Sequence, residues 1–252
     1  MSTFGLYSLL QYSGFFKADL SDLSRCQLTL RQKITQPLRV VYVVDIVFQT
    51  PHFWKGYLLL AQSQGSVALA SSLARETGLS ETTIARHLEV MAQTYVLYVV
   101  PSYSTNLANE LKKSRKYYFF DIGIRNALLK DFRNAPDRED RGVLYETAVM
   151  LQLIQQLKPN MELRFWRTKK GEEVDFVLVK NRMPVPIEVK SGLSKPEIPP
   201  GIYAFLRRYP KSPFAVVFND SIEHTVQLEG RYTIYFKKWM DACGLEYLQN
   251  VK

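Results

Sequence analysis

Residues 172–191 read EEVDFVLVKNRMPVPIEVKS, two short runs of Val, Ile, Leu and Phe with an acid inside each, Asp175 and Glu188. An unpartnered charge within an apolar strand is costly, so such acids are either paired or used. The runs read as strands over 172–179 and 184–191. Strict alternation places Asp175 with Val177 and Val179, opposite Val174, Phe176 and Leu178, and places Glu188 with Lys190, opposite Ile187 and Val189. Paired as a hairpin, the two strands bring Asp175 and Glu188 together.

Working outward, a helix is expected over 143–157 (VLYETAVMLQLIQQL), a strand over 162–168 (ELRFWRT), a KKG turn, a helix over about 197–208 and a strand over 213–219 (PFAVVFN). This α-β-β-β-α-β order implies a mixed sheet with helices packed on it. Glu146 heads the stripe of Val149, Met150, Leu153 and Leu157, so it is expected to face the sheet. Three carboxylates and Lys190 in one cleft would repel one another unless a cation neutralised them. Oxygen ligands with room for water suit Mg²⁺ or Mn²⁺, which polarise a phosphodiester and activate water, with Lys190 stabilising developing charge. The structural alternative is that Glu188 and Lys190 form an ion pair, and that Glu146 and Asp175 pair with Arg164 or Arg167.

Upstream, residues 57–64, 70–76 and 80–93 read as three helices, with Gly78 as a turn and Ser80 as an N-cap. Ala74, Gly78 and Ile84 have the spacing of a helix-turn-helix. YVLYVVPSY and KYYFFDIG follow as the two strands of a wing, flanking NELKKSRK. The expectation is a winged helix over 56–130. On nucleic acid, Thr82, Thr83 and Arg86 would lie on its exposed face, and Lys112, Lys113, Arg115 and Lys116 on phosphates. The same module also serves for protein packing, and Glu81 and Glu89 beside Arg86 weaken a basic reading face. DFRNAPDREDRG marks a linker over 131–141, and the second domain is expected over 142–252.

The 252 residues carry 33 Lys and Arg against 24 Asp and Glu, a formal charge of +9, which favours an anionic partner without specifying the fold. A 46% hydrophobic content is that of a folded chain. Cys26 and Cys243, far apart, imply neither a disulfide framework nor a zinc site. No apolar run reaches membrane-spanning length, the N-terminus lacks the marks of a signal peptide, and a cytoplasmic location is expected.

Glu146, Asp175 and Glu188-Val189-Lys190 together resemble the PD-(D/E)xK signature of restriction-endonuclease-like domains. KYYFFDIGIRNALL, GVLYETAV, FWRTKKGEEVDFVLV and PIEVKSG further resemble the winged helix and C-terminal domain of unknown function of prokaryotic AAA+ ATPases. This resemblance runs from about residue 57 to 219. It implies Glu146, Asp175 and Glu188 as direct or water-mediated metal ligands and Lys190 as the transition-state cation; Lys169 and Lys170 in the KKG turn are expected to add phosphate contacts. DNA is the implied partner, with an AAA+ ATPase domain in cis or trans. The chain departs from that family in having no Gly-Lys dipeptide and so no P-loop. Residues 1–55 resemble at most the tail of an ATPase lid. The expected function is a nucleic-acid-associated protein with a candidate Mg²⁺-dependent deoxyribonuclease site and no ATPase activity. The alternative is a non-catalytic DNA- or protein-docking module, and a winged-helix transcription regulator ranks third.

Overall fold

The structure, a computed structural model, describes residues 51–105 and 114–243. Most of the N-terminal segment, with Lys112 and Lys113, lies outside the described residues. Contacts divide the chain into two units, one of residues 1–99 and 114–139, the other of residues 100–113 and 140–252.

The first unit contains α1 (Pro51–Gln62), β1 (Val67–Ala68), α2 (Ala70–Thr77), α3 (Glu81–Gln93), all but the last two residues of β2 (Leu97–Pro101), β3 (Arg115–Phe119) and α4 (Ile122–Leu129). Its strands form a sheet in the order β1-β3-β2. The α2 helix stops because Gly78 adopts a left-handed φ of 76°, returning its N–H to the Ala74 carbonyl. Ser80 then starts α3, its hydroxyl accepting the Thr83 N–H at 3.1 Å. Ile84, Leu88 and Met91, spaced four and three apart, bury one stripe of α3 in a core with Tyr57, Leu73, Tyr117 and Phe119.

Two features of this unit differ from the sequence expectation. The strand expected through Gly123 ends at Phe119, because the Asp121 carboxylate accepts the Gly123 N–H at 2.6 Å and caps α4. Residues expected to form a linker fold onto the unit instead. Arg138 is buried and donates to Asn126 Oδ1 at 2.8 Å and to the Asp131 carbonyl at 2.7 Å, while Arg133 grips the Asp131 carboxylate at 2.8 Å.

The second unit contains α5 (Arg141–Gln155), β4 (Met161–Arg167), β5 (Glu173–Lys180), β6 (Met183–Val189), α6 (Pro200–Arg208), β7 (Phe214–Asn219), β8 (His224–Leu228) and β9 (Tyr232–Lys238). Its mixed six-stranded sheet has the order β4-β5-β6-β7-β9-β8. β4, β5 and β6 pair antiparallel, β6, β7 and β9 parallel, and β8 returns antiparallel on β9. Sequence reading missed β8 and β9; their signal is the alternation in HTVQL and YTIYF around Glu229-Gly230. The crossover helix α6 presses Ile202, Phe205 and Leu206 onto Val174, Val177, Ala215 and Val217. It can approach only because residue 201 is Gly, since a Cβ there would stand 1.8 Å from the Glu173 carbonyl oxygen.

Strict alternation fails in β5. Arg164 pairs with Val177, but Trp166 pairs with Val174, so one residue of β4 opposes two of β5, Asp175 and Phe176. Val174 and Val177, expected on opposite faces, therefore enter the same core. This β-bulge re-aims Asp175.

Candidate functional site

The β5–β6 ladder ends at the pair Phe176–Ile187, and beyond it side chains replace backbone bonds. The Asp175 N–H donates to Glu188 Oε2 at 3.3 Å, and the Val189 N–H donates to Asp175 Oδ2 at 2.9 Å. Each carboxylate thus occupies a backbone position on the other strand. On its far side β6 remains paired, the Lys190 N–H reaching the Phe218 carbonyl at 2.8 Å. Glu188 is 5% exposed, and Lys190 Nζ lies 2.6 Å from its Oε1.

The electrostatics are one-sided. Burial, followed by the neighbouring Asp175 charge, pushes the Glu188 carboxyl up to about 7, against the pull of Lys190. Burial opposes the Lys190 ammonium, yet Glu188, Asp175 and Glu146 outweigh it and hold this lysine above its ordinary value. Glu146, half-exposed on α5, is therefore within electrostatic reach of Lys190. Asp175, Glu188 and Lys190 come together as expected, with Glu146 near them. Arg164 turns to Glu162 at 2.6 Å and Arg167 to Glu173 at 3.6 Å rather than to the site acids.

Sequence reading missed the rim. Asp220, just past β7, accepts the Gly192 N–H on both oxygens at 3.1 and 3.0 Å. It also acts electrostatically on Tyr145, whose hydroxyl is raised by burial and then by Asp220, and whose ring stacks on Trp239. Arg141, at the start of α5, reaches Gly192. The available signal was strand polarity: parallel β6 and β7 bring their C-terminal ends, and the residues just after them, side by side.

The donor chemistry suits a hard cation: two carboxylates meet, one half-exposed, with more negative charge than Lys190 balances. Among the described residues no three His, Cys, Asp or Glu side chains are gathered to hold a metal ion. Mg²⁺ is commonly bound by one or two carboxylates, with waters and substrate phosphates completing its shell, so Asp175 and Glu188 fit that class.

The other predicted contacts divide. Thr82 and Arg86 are exposed on α3, whereas Thr83 is half-buried with its hydroxyl 2.8 Å from that of Ser80. Lys169 and Lys170 are exposed in the β4–β5 turn, and Arg115 is exposed at the start of β3. Lys116 is corrected: it lies in the central strand of its sheet at 1% exposure, so it offers no cation to a phosphate.

Two family models, both of unknown function, match parts of this α+β chain. Residues 141–238 match the family model described as "Domain of unknown function (DUF4143)", and residues 47–135 match "Domain of unknown function (DUF8612)". Two curated relatives, Uncharacterized protein Mb2031c of Mycobacterium bovis and Uncharacterized protein Rv2008c of Mycobacterium tuberculosis, are each 29% identical over 138 residues. The match covers 54% of this chain and 31% of each relative. No helix among the described residues is long and apolar enough to cross a membrane.

Proposed function

We propose that the second unit is a PD-(D/E)xK-type site of a nucleic-acid-associated protein, hydrolysing DNA phosphodiesters with a divalent cation, and that the first unit is a winged helix. The observation carrying this reading is the exchange between Asp175 and Glu188 beside the Lys190 ammonium. Asp175, fixed by the Val189 N–H, and Glu188, fixed by the Asp175 N–H, would hold Mg²⁺ or Mn²⁺, with Glu146 direct or through water; the ion supplies Lewis acidity and an activated water. Three neighbouring carboxylates keep Lys190 protonated, so its ammonium is available to a phosphate oxygen on which charge develops. Asp220 ties down the loop at Gly192 that follows Lys190.

A second reading, a docking module of an AAA+ ATPase without catalysis, is favoured by the 2.6 Å Lys190–Glu188 pair, which gives Glu188 a partner with no ion bound. Calorimetric titration of Mg²⁺ and Mn²⁺ into wild type and Asp175→Asn separates the two. Binding by wild type and its loss in the variant support the enzyme, and no binding by wild type removes it. Cleavage of single-stranded, branched and duplex DNA, with Lys190→Ala as control, then tests the chemistry.

A further inference from the structure

The six-stranded sheet has two ends of opposite character. The carboxylates occupy the end where β6 finishes. The register brings to the other end the start of β4, the β5–β6 turn, the C-terminus of α6, the start of β7 and the β8–β9 turn. Met161 pairs with Lys180 and Lys180 with Met183, Ser212 Oγ donates to the Pro184 carbonyl, Leu228 pairs with Tyr232, and Arg231 donates to the Pro210 carbonyl. Six exposed cations gather there: Lys158, Arg182, Arg207, Arg208, Lys211 and Arg231. None has a carboxylate partner among the described residues. The acids at this end are Glu229 and Glu162, and Glu162 is already paired with Arg164.

One of these cations sits where its backbone argues against it. Asn181 and Arg182 form the two-residue turn with φ of 50° and 66°. Two positive φ values define a type I′ hairpin turn, whose second position strongly prefers Gly. An Arg there forgoes stability for its side chain.

We propose that this end of the sheet is a docking surface for the phosphate backbone of duplex DNA. From Lys158 before β4 to Arg231 before β9 the cations span four strand spacings, about 19 Å. They stand roughly 23 Å from Lys190 along β6, so they engage DNA separately from the carboxylate cleft. Four of the six are arginines, whose planar forks suit phosphate. The large exposed hydrophobics among the described residues (Trp54, Leu69, Tyr95, Phe132, Tyr203 and Met240) lie on other elements or, for Tyr203, in the first half of α6. The surface therefore lacks the apolar centre of a protein interface. The proposal does not depend on catalysis.

The test measures fluorescence anisotropy of a labelled 20-base-pair duplex with the full chain in chelator, from 50 to 200 mM NaCl. Each lost phosphate contact removes about 0.9 from the slope of log affinity against log salt. The combined variant Arg207→Gln, Arg208→Gln and Lys211→Gln is expected to flatten the slope by about 2 to 3 and weaken binding roughly tenfold at 100 mM NaCl. Arg182→Gly is expected to flatten it by about one while raising the melting temperature, which separates binding from folding should the triple variant not fold. Slopes equal to wild type in both variants overturn the proposal. So does an unchanged duplex slope with lost binding to phosphatidylserine-containing vesicles or to polyglutamate, which would assign the surface to a membrane or to an acidic protein.

Discussion

Asp131 in the first unit and Glu188 in the second are both carboxylates beside cations, and their surroundings drive them in opposite directions. Asp131 takes two bonds from the Arg133 side chain and has Arg138 Nε at 3.7 Å, and these hold its carboxyl well below the usual range. Glu188 has one ammonium but also burial and a second carboxylate, which together push it up to about 7. The first group is a closed structural ion cluster with cations in excess. The second carries unbalanced negative charge at a gap in a sheet ladder, the condition in which an ionisable site is available for binding.

If the Glu188 centre is chemical, Asp175→Asn should lower metal-dependent DNA cleavage by about 10² or more with little change in melting temperature, and Lys190→Ala should do the same with some loss of stability, because it leaves Glu188 buried without its cation. Equal loss of folding and activity would make both residues structural. If the Asp131 centre is structural, Arg138→Ala should destabilise the protein by about 3 kcal/mol in urea unfolding, because the change strands the Asn126 and Asp131 acceptors of a buried guanidinium. Arg133→Ala, at 61% side-chain exposure, should destabilise by less than about 1 kcal/mol.

The pH dependence is smaller and opposite in sign at the two centres. The folded Glu188 carboxyl lies above its ordinary 4.5, so metal-free protein loses stability as pH rises from about 4.5 through 7 and levels off beyond. Glu188→Gln should remove that loss, melting a few degrees higher than wild type at pH 8 in chelator. A lower melting temperature for the variant would show that Lys190 fully compensates the buried charge. The Asp131 carboxyl is held low, so its contribution is present above its ordinary value and fades only as pH falls through the depressed one. Asp131→Asn should change acid unfolding the least, and a shift larger than that of Arg138→Ala would break the contrast.

Much of this architecture is legible in the residues. Ser80 is followed three residues on by Thr83, whose amide it caps, and the apolar spacing of α3 matches its buried stripe. The convergence of Asp175, Glu188 and Lys190 follows from pairing two strands whose acids lie near the same end. Properties set by distant partners are not legible. The burial of Lys116 depends on β3 being a central strand, which nothing in KKSRK specifies. The rim role of Asp220 depends on β7 running parallel to β6. Arg138 sits in a run of charges that reads as solvated, and only the fold shows that it closes onto Asn126.

The bulge in β5 makes the site depend on a residue count as much as on residue identities. If Phe176 were deleted, Val174 and Val177 would stand two apart and both still face the core in an uninterrupted strand. A regular hairpin would then be open to this segment at no loss of core valines, yet Asp175 would no longer be turned toward Val189. Phe176 is itself fully buried and pairs with Ile187, so a deletion there should weaken folding as well as abolish metal binding.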